Sequence, residues 1–201
     1  MKYNPLIHHR RSIRLKGYDY SQAGAYFITI CTKNRQHLFG EVVNEEMVLN
    51  EMGLIAYNEW LRTQELRPNV SLDVFVIMPN HMHGIIVIND DRTGEFDSPR
   101  RPDIDIVNLD EFNMEAANPG EFNTPRQPFM MPKSPSNNIG AIVRGYKSSV
   151  TKQINLLNYS GSVWQHNYHE HIIRDERSYC FISDYILNNP KKWAIDKFNK
   201  K

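Results

Sequence analysis

Two histidines two residues apart, His81 and His83, carry the most pointed chemistry in this chain. They lie in Val74-Phe75-Val76-Ile77-Met78-Pro79-Asn80-His81-Met82-His83-Gly84-Ile85-Ile86-Val87-Ile88, where two apolar, β-branched runs flank Pro79-Asn80 and read as a hairpin. Side chains alternate along a strand, so His81 and His83 point to one face and Met82 to the other. Two imidazoles side by side on a sheet can fill two positions around one divalent metal, with Met82 buried beneath them. The same spacing also fits a pair of surface histidines, because H-x-H is a short pattern.

Tyr185 and Asn189 are the second candidate pair. They share a helical face with Phe181, Ile182 and Ile186, and their four-residue spacing lets both reach one spot. A phenol with a free pKa of about 10 is a poor nucleophile and needs a cation nearby. A metal on His81 and His83 polarises a phosphate oxygen, and the amide oxygen of Asn189 can complete its shell. Tyr185 by itself equally reads as an aromatic packed against a sheet. His166, His169 and His171 form another group. His169-Glu170-His171 repeats the spacing with a charged middle residue, which argues against a buried anchor. DNA contacts, a polar network and a different metal site all remain open for it.

The elements that must position these groups are legible in outline. Residues 25–32 (Ala-Tyr-Phe-Ile-Thr-Ile-Cys-Thr) read as a strand, with basic and polar residues from Lys33 to His37 at its end. Residues 47–65 read as an amphipathic helix stopped by Arg67-Pro68-Asn69. Residues 139–157 read as a second helix, with Ile142, Val143, Tyr146, Val150 and Ile154 inward and Arg144, Lys147 and Lys152 outward. Tyr146 on that stripe reads as core. Residues 163–174 read as extended. Asp175 then caps a last helix that runs to about Asn189, where Pro190 discourages continuation. A β-α-β-β-α-β succession predicts an α+β fold, a ferredoxin-like antiparallel sheet with helices on one face.

Composition narrows the class. At 201 residues the chain reads as a single domain, 1–89 with 137–201. Residues 90–136, rich in Asp, Asn and Pro, read as a flexible insertion. No signal-peptide pattern and no apolar run of spanning length are present, so a cytoplasmic place with no membrane partner is expected. Cys31 and Cys180 are too few for a disulfide scaffold. The near-neutral total hides an asymmetry. Residues 1–40 carry seven Lys or Arg against Asp19, residues 133–201 carry eleven against five acids, and residues 90–121 carry ten acids against three Arg. Basic segments bracketing an acidic one suggest a polyanion-binding face. On charge alone the candidates are Arg10, Arg11, Arg14, Lys16, Lys33, Arg35, Arg144, Lys147 and Lys152.

His81-Met82-His83 matches the HUH motif (His, bulky hydrophobic, His) of single-strand DNA nucleases. Met-Pro-Asn-His-Met-His at 78–83, Trp164-Gln165 with His171-Ile172-Ile173-Arg174, and Asp184-Tyr185-Ile186-Leu187-Asn188-Asn189-Pro190 together resemble the single-tyrosine transposases of bacterial insertion sequences. The nearest branch is the REP-associated tyrosine transposases, which Arg14-Leu15-Lys16-Gly17-Tyr18-Asp19-Tyr20 and the first strand also resemble. The likeness covers the chain except about residues 90–136. It implies the HUH variant of the ferredoxin-like sheet in a bacterial, cytoplasmic protein. His81 and His83 would hold Mg²⁺ or Mn²⁺. Tyr185 would attack single-stranded DNA beside a hairpin to give a 5′-phosphotyrosine link and a free 3′-OH. Insertion-sequence relatives place a Gln ligand four residues after the Tyr; here that position is Asn189, one methylene shorter. Some relatives are homodimers that swap helices and others act as monomers, and no interface is legible here. Two rival readings remain: a non-catalytic hairpin-DNA-binding protein, and a metal-dependent hydrolase built on the histidine groups.

Overall fold

In the computed structural model, which describes residues 17–89 and 138–199, the chain runs β1 (Gly24–Cys31), β2 (Gly40–Val43), β3 (Glu46–Leu49), α1 (Glu51–Glu65), β4 (Val70–Met78), β5 (His81–Ile88), α2 (Ile139–Leu156), β6 (His169–Ile173) and α3 (Glu176–Leu187). A 3-10 turn over Pro190–Ile195 follows. The expected insertion, residues 90–136, and the four basic residues Arg10, Arg11, Arg14 and Lys16 lie outside the described residues.

Four strands form one sheet in the order β4-β5-β1-β6, with every neighbouring pair antiparallel. The antiparallel α+β sheet is the one that the pattern of elements predicts. Alternation sorts its two faces. Tyr26, Ile28, Ile30, Met82, Ile86 and Ile88 pack under α1 and α2, together with Trp60, Ile142, Tyr146 and Val150. Tyr146 is core as expected, and its hydroxyl donates to the Ala56 carbonyl at 3.1 Å. Ala25, Ile85, Val87 and Ile173 face the other way, against Tyr179 and Ile186 of α3. The long helices thus share one face, and α3 lies over the face that carries the two histidines. Tyr179 fixes α3 there by donating its hydroxyl to Asp73, which sits where the β4–β5 register shifts between Leu72 and Phe75.

Each α-helix begins on a side-chain cap. Asn50, Asn138 and Asp175 accept from the backbone N–H of Gly53, Ala141 and Ser178, three residues on in each case. The cap at Asn50 corrects one expectation: residues 47–49 are not helix but the second arm of a β2–β3 hairpin. Asn44 and Glu45 turn it with φ of 51° and 68°, and Gly40 enters it at φ 133°, where an added Cβ would meet the Val48 carbonyl oxygen at 2.0 Å. The last helix also ends earlier than expected, at Leu187, and Phe181 is 73 % exposed rather than on the buried face. Of the extended stretch 163–174, His169–Ile173 form the strand, while Trp164 makes a lone bridge to Thr32. No described helix is long and apolar enough to cross a membrane.

Gly84, between the histidines and the core of β5, is required by Trp60. A Cβ at this position would lie 2.8 Å from the indole and 3.1 Å from Cβ of Phe75. Gly84→Ala is therefore expected to cost about 1–3 kcal/mol by overpacking. Urea unfolding checks this, and a stability unchanged within error would refute it.

Candidate active site

Register brings the site together on the α3 face. β1 sets Thr29 opposite His83 and Cys31 opposite His81. His81 and His83 are both buried, with ring centroids 4.6 Å apart, and Met82 between them is fully buried on the opposite face, as the alternation requires. Phe27 stacks on His83 at 5.3 Å. From the other side, residues of the C-terminal segment cover His81, with the Phe198 ring 4.4 Å and the Trp193 ring 6.0 Å from its own.

The side chains around each imidazole fix its orientation. Asn80 donates its amide N–H groups to the carbonyls of Arg35 and Phe198, at 3.2 and 2.8 Å. Its Oδ1 therefore faces His81 and accepts from Nδ1–H at 2.9 Å. That leaves the lone pair of His81 on Nε2. His83 Nδ1 lies 2.8 Å from Thr29 Oγ1, and its Nε2 lies 3.2 Å from Tyr185 Oη. A neutral imidazole donating to Thr29 and accepting from the phenol satisfies both contacts. Tyr185 itself is half-buried, one turn before Asn189, which is buried.

Three polar atoms are buried here with no hydrogen-bond partner: His81 Nε2 and both Oδ1 and Nδ2 of Asn189. Buried polar atoms are ordinarily paired, so these orphans make the α3 face a candidate ligand site. Two imidazole nitrogens and an amide oxygen are a donor set that suits a divalent cation, and Asn189 is near enough to His81 to act on its proton affinity. Among the described residues, no three His, Cys, Asp or Glu side chains converge on one point. His166, His169 and His171 accordingly form no centre of their own. His169 and His171 are exposed on the face of the catalytic candidates, and Glu170 between them is buried on the opposite face, contrary to the expectation from its charge.

Electrostatics follow from burial. His81 is depressed to about 3, first by burial; the Asn189 amide opposes this, and the cations Arg35 and Lys197 add smaller depressions. His83 is held well below the usual histidine range by burial, with His81 and Lys197 acting in the same direction. Burial and then the Asp196 carboxylate push the Tyr185 phenol up, while Asn189 pulls it down. The Asn189 amide thus acts on both groups. Both imidazoles are free bases at neutral pH, as a metal ligand must be. Between about 6.5 and the depressed value, an unfolded chain binds protons that the folded chain does not. Stability is therefore expected to fall as pH drops below 6.5, by about 2 kcal/mol at pH 5 for His81 alone and further for His83. Melting curves between pH 7 and 5, above the carboxylate range, test this; a flat profile would contradict it.

The basic candidates divide. Arg35 donates to the Lys197 carbonyl at 2.9 Å and lies 5.1 Å over the Phe198 ring, so it holds down the C-terminal segment. Lys33 is exposed at the end of β1. Arg144, Lys147 and Lys152 are on α2, against the face of the sheet opposite Tyr185. Sequence reasoning identified His81, His83, Tyr185 and Asn189 and gave no role to Thr29, Asn80, Trp193 or Phe198. Only Asn80, in the turn directly before His81, carried a local signal.

No protein-family model matches the chain. An uncharacterised protein of Haemophilus influenzae (strain ATCC 51907 / DSM 11121 / KW20 / Rd) is 42 % identical over 196 residues, spanning 98 % of this chain and 96 % of that one. Among solved structures, that of a REP-associated tyrosine transposase bound to a REP hairpin aligns with a TM-score of 0.53 at 18 % identity, over 92 % of this chain and 76 % of that one. The chain therefore belongs to one family with the Haemophilus influenzae protein, and its fold is that of the REP-associated tyrosine transposase.

Proposed function

We propose that this protein is a DNA transposase that cuts and rejoins single-stranded DNA beside hairpins through Tyr185. The observation that carries the reading is Tyr185 Oη at 3.2 Å from His83 Nε2, on the face where Asn189 and His81 leave orphaned donor atoms. In the reaction, the phenol gives up its proton and its oxygen bonds to phosphorus as the bond to the 3′ oxygen breaks. That oxygen takes up a proton. The 5′ side stays linked to tyrosine and the other product ends in a 3′-OH, which can later attack the link and rejoin strands.

His81, His83 and Asn189 would hold Mg²⁺ or Mn²⁺, which polarises the phosphate oxygens when bound. Asn80 and Thr29 keep the two Nε2 atoms turned inward, the role of groups behind metal-ligating histidines. The phenol and a metal need the same lone pair of His83, so Tyr185 must leave Nε2 before His83 can act as a ligand. That release also frees the phenol to face a phosphate. Lys197 and Arg35 add positive charge around the imidazoles, which favours an anionic substrate.

The partner is single-stranded or hairpin DNA. The hairpin in the REP-associated tyrosine transposase structure supports this choice by analogy of fold. The test is covalent capture. Labelled hairpin DNA flanking the gene should travel with denatured protein in Mn²⁺ and not in EDTA. Tight binding with no captured label would favour a non-catalytic DNA-binding protein, and cleavage with no captured label would favour a hydrolase.

A further inference from the structure

On the tyrosine face of the sheet, α3 packs mainly on β4 and β5. At the other border of that face runs the edge strand β6, where His169 and His171 are both exposed. Register gives the two histidines different places. Thr29 of β1 is opposite His83 on one side and His169 on the other, so His83, Thr29 and His169 form one row across three strands. His171 is opposite Phe27, one row away. The Tyr185 ring meets Phe27 edge-on, while its hydroxyl reaches into the row of His83, 3.2 Å from Nε2. Two strand spacings put the backbones of His83 and His169 about 10 Å apart, a gap that one phosphate group can enter between their side chains. Thr29, in the middle of the row, is engaged with His83 Nδ1 at 2.8 Å.

The reaction needs a participant that the buried centre does not supply. A phenol becomes a nucleophile as a base takes its proton. Its present acceptor, His83 Nε2, is left behind when Tyr185 turns to a phosphate. We infer that His169 is the general base of the tyrosine reaction, taking the phenol proton on a ring nitrogen, directly or through one water, as Oη bonds to phosphorus. The bond from phosphorus to the 3′ oxygen breaks in the same step, and that oxygen takes a proton from solvent. On rejoining, the 3′-OH attacks phosphorus and loses its proton to solvent. The protonated His169 then returns a proton to the departing Tyr185 oxygen. The inference rests on the function proposed above. The surroundings of His169 suit the role. Partial burial, then His171 and Lys197, hold it below the usual histidine range, with Glu170 opposing them. It is therefore a free base at neutral pH.

The experiment is the single-turnover rate of covalent capture in saturating Mn²⁺, with hairpin-DNA anisotropy on the same full-length proteins. His169→Ala should slow capture by about 10²–10⁴-fold with hairpin affinity within about twofold of wild type, and added imidazole should recover about tenfold or more of the rate. His169→Gln should be as slow, and His171→Ala should stay near the wild-type rate. Circular dichroism checks folding, and both substituted side chains are exposed. A wild-type rate in His169→Ala, a loss matched by lost affinity, or a loss that imidazole leaves untouched would overturn the assignment. DNA with sulfur in place of the 3′ oxygen separates base from acid, because a thiolate leaves without a proton. The His169→Ala defect should persist on it; its disappearance would make His169 the acid of the leaving group and not the base. No capture by the wild-type protein would instead sink the tyrosine reading itself.

Discussion

Replacing His81 or His83 by Ala is expected to weaken Mn²⁺ binding roughly 100-fold or more and to abolish metal-dependent covalent capture of DNA. The two imidazoles are buried on rigid strands, and the described residues hold no group of three His, Cys, Asp or Glu side chains that could take over the ion. Asn80→Ala should give an intermediate loss, about 10–100-fold, because Oδ1 of Asn80 accepts from Nδ1–H of His81 and so keeps Nε2 pointed at the site. Electron paramagnetic resonance of free Mn²⁺ during titration measures all three. Equal affinity in wild type and His81→Ala would remove the metal from this site.

Tyr185→Phe is expected to lower covalent product by about 10³-fold or more while hairpin-DNA affinity stays within about twofold. The substitution deletes one hydroxyl and keeps the ring against Phe27 and His83, at 6.2 and 5.1 Å between centroids. Because the phenol contacts His83 Nε2 at 3.2 Å, its removal should leave Mn²⁺ affinity equal or higher, never lower. Product formation that survives Tyr185→Phe would assign the attack to water or another residue.

What sequence reveals here follows the range of each interaction. The alternation of His81-Met82-His83, the cap at Asp175 and the stripe of α2 are local patterns, and each stands where it was expected. The β2–β3 hairpin was hidden because Asn44-Glu45 has no glycine and Glu46-Met47-Val48-Leu49 suits a helix equally well. Asn80 and Phe198 were missed for a different reason: their bond joins residues 118 apart, and no window along the chain contains both. Charge says least about placement: Arg35 and Lys147 were DNA-contact candidates on composition, and the structure gives both side chains backbone carbonyl partners that no local pattern announces. The charge of Glu170 argued against a buried anchor, yet the residue is buried, because the edge strand puts its two histidine neighbours on the other face.

The measurement that bears most directly on the central claim is peptide mapping of the Mn²⁺-dependent protein–DNA product. After nuclease and protease digestion, the peptide containing Tyr185 should carry a nucleotide joined through its 5′ phosphate, and the released strand should end in a 3′-OH. A nucleotide on any other residue, a link through a 3′ phosphate, or cleaved DNA with no linked peptide would contradict the account.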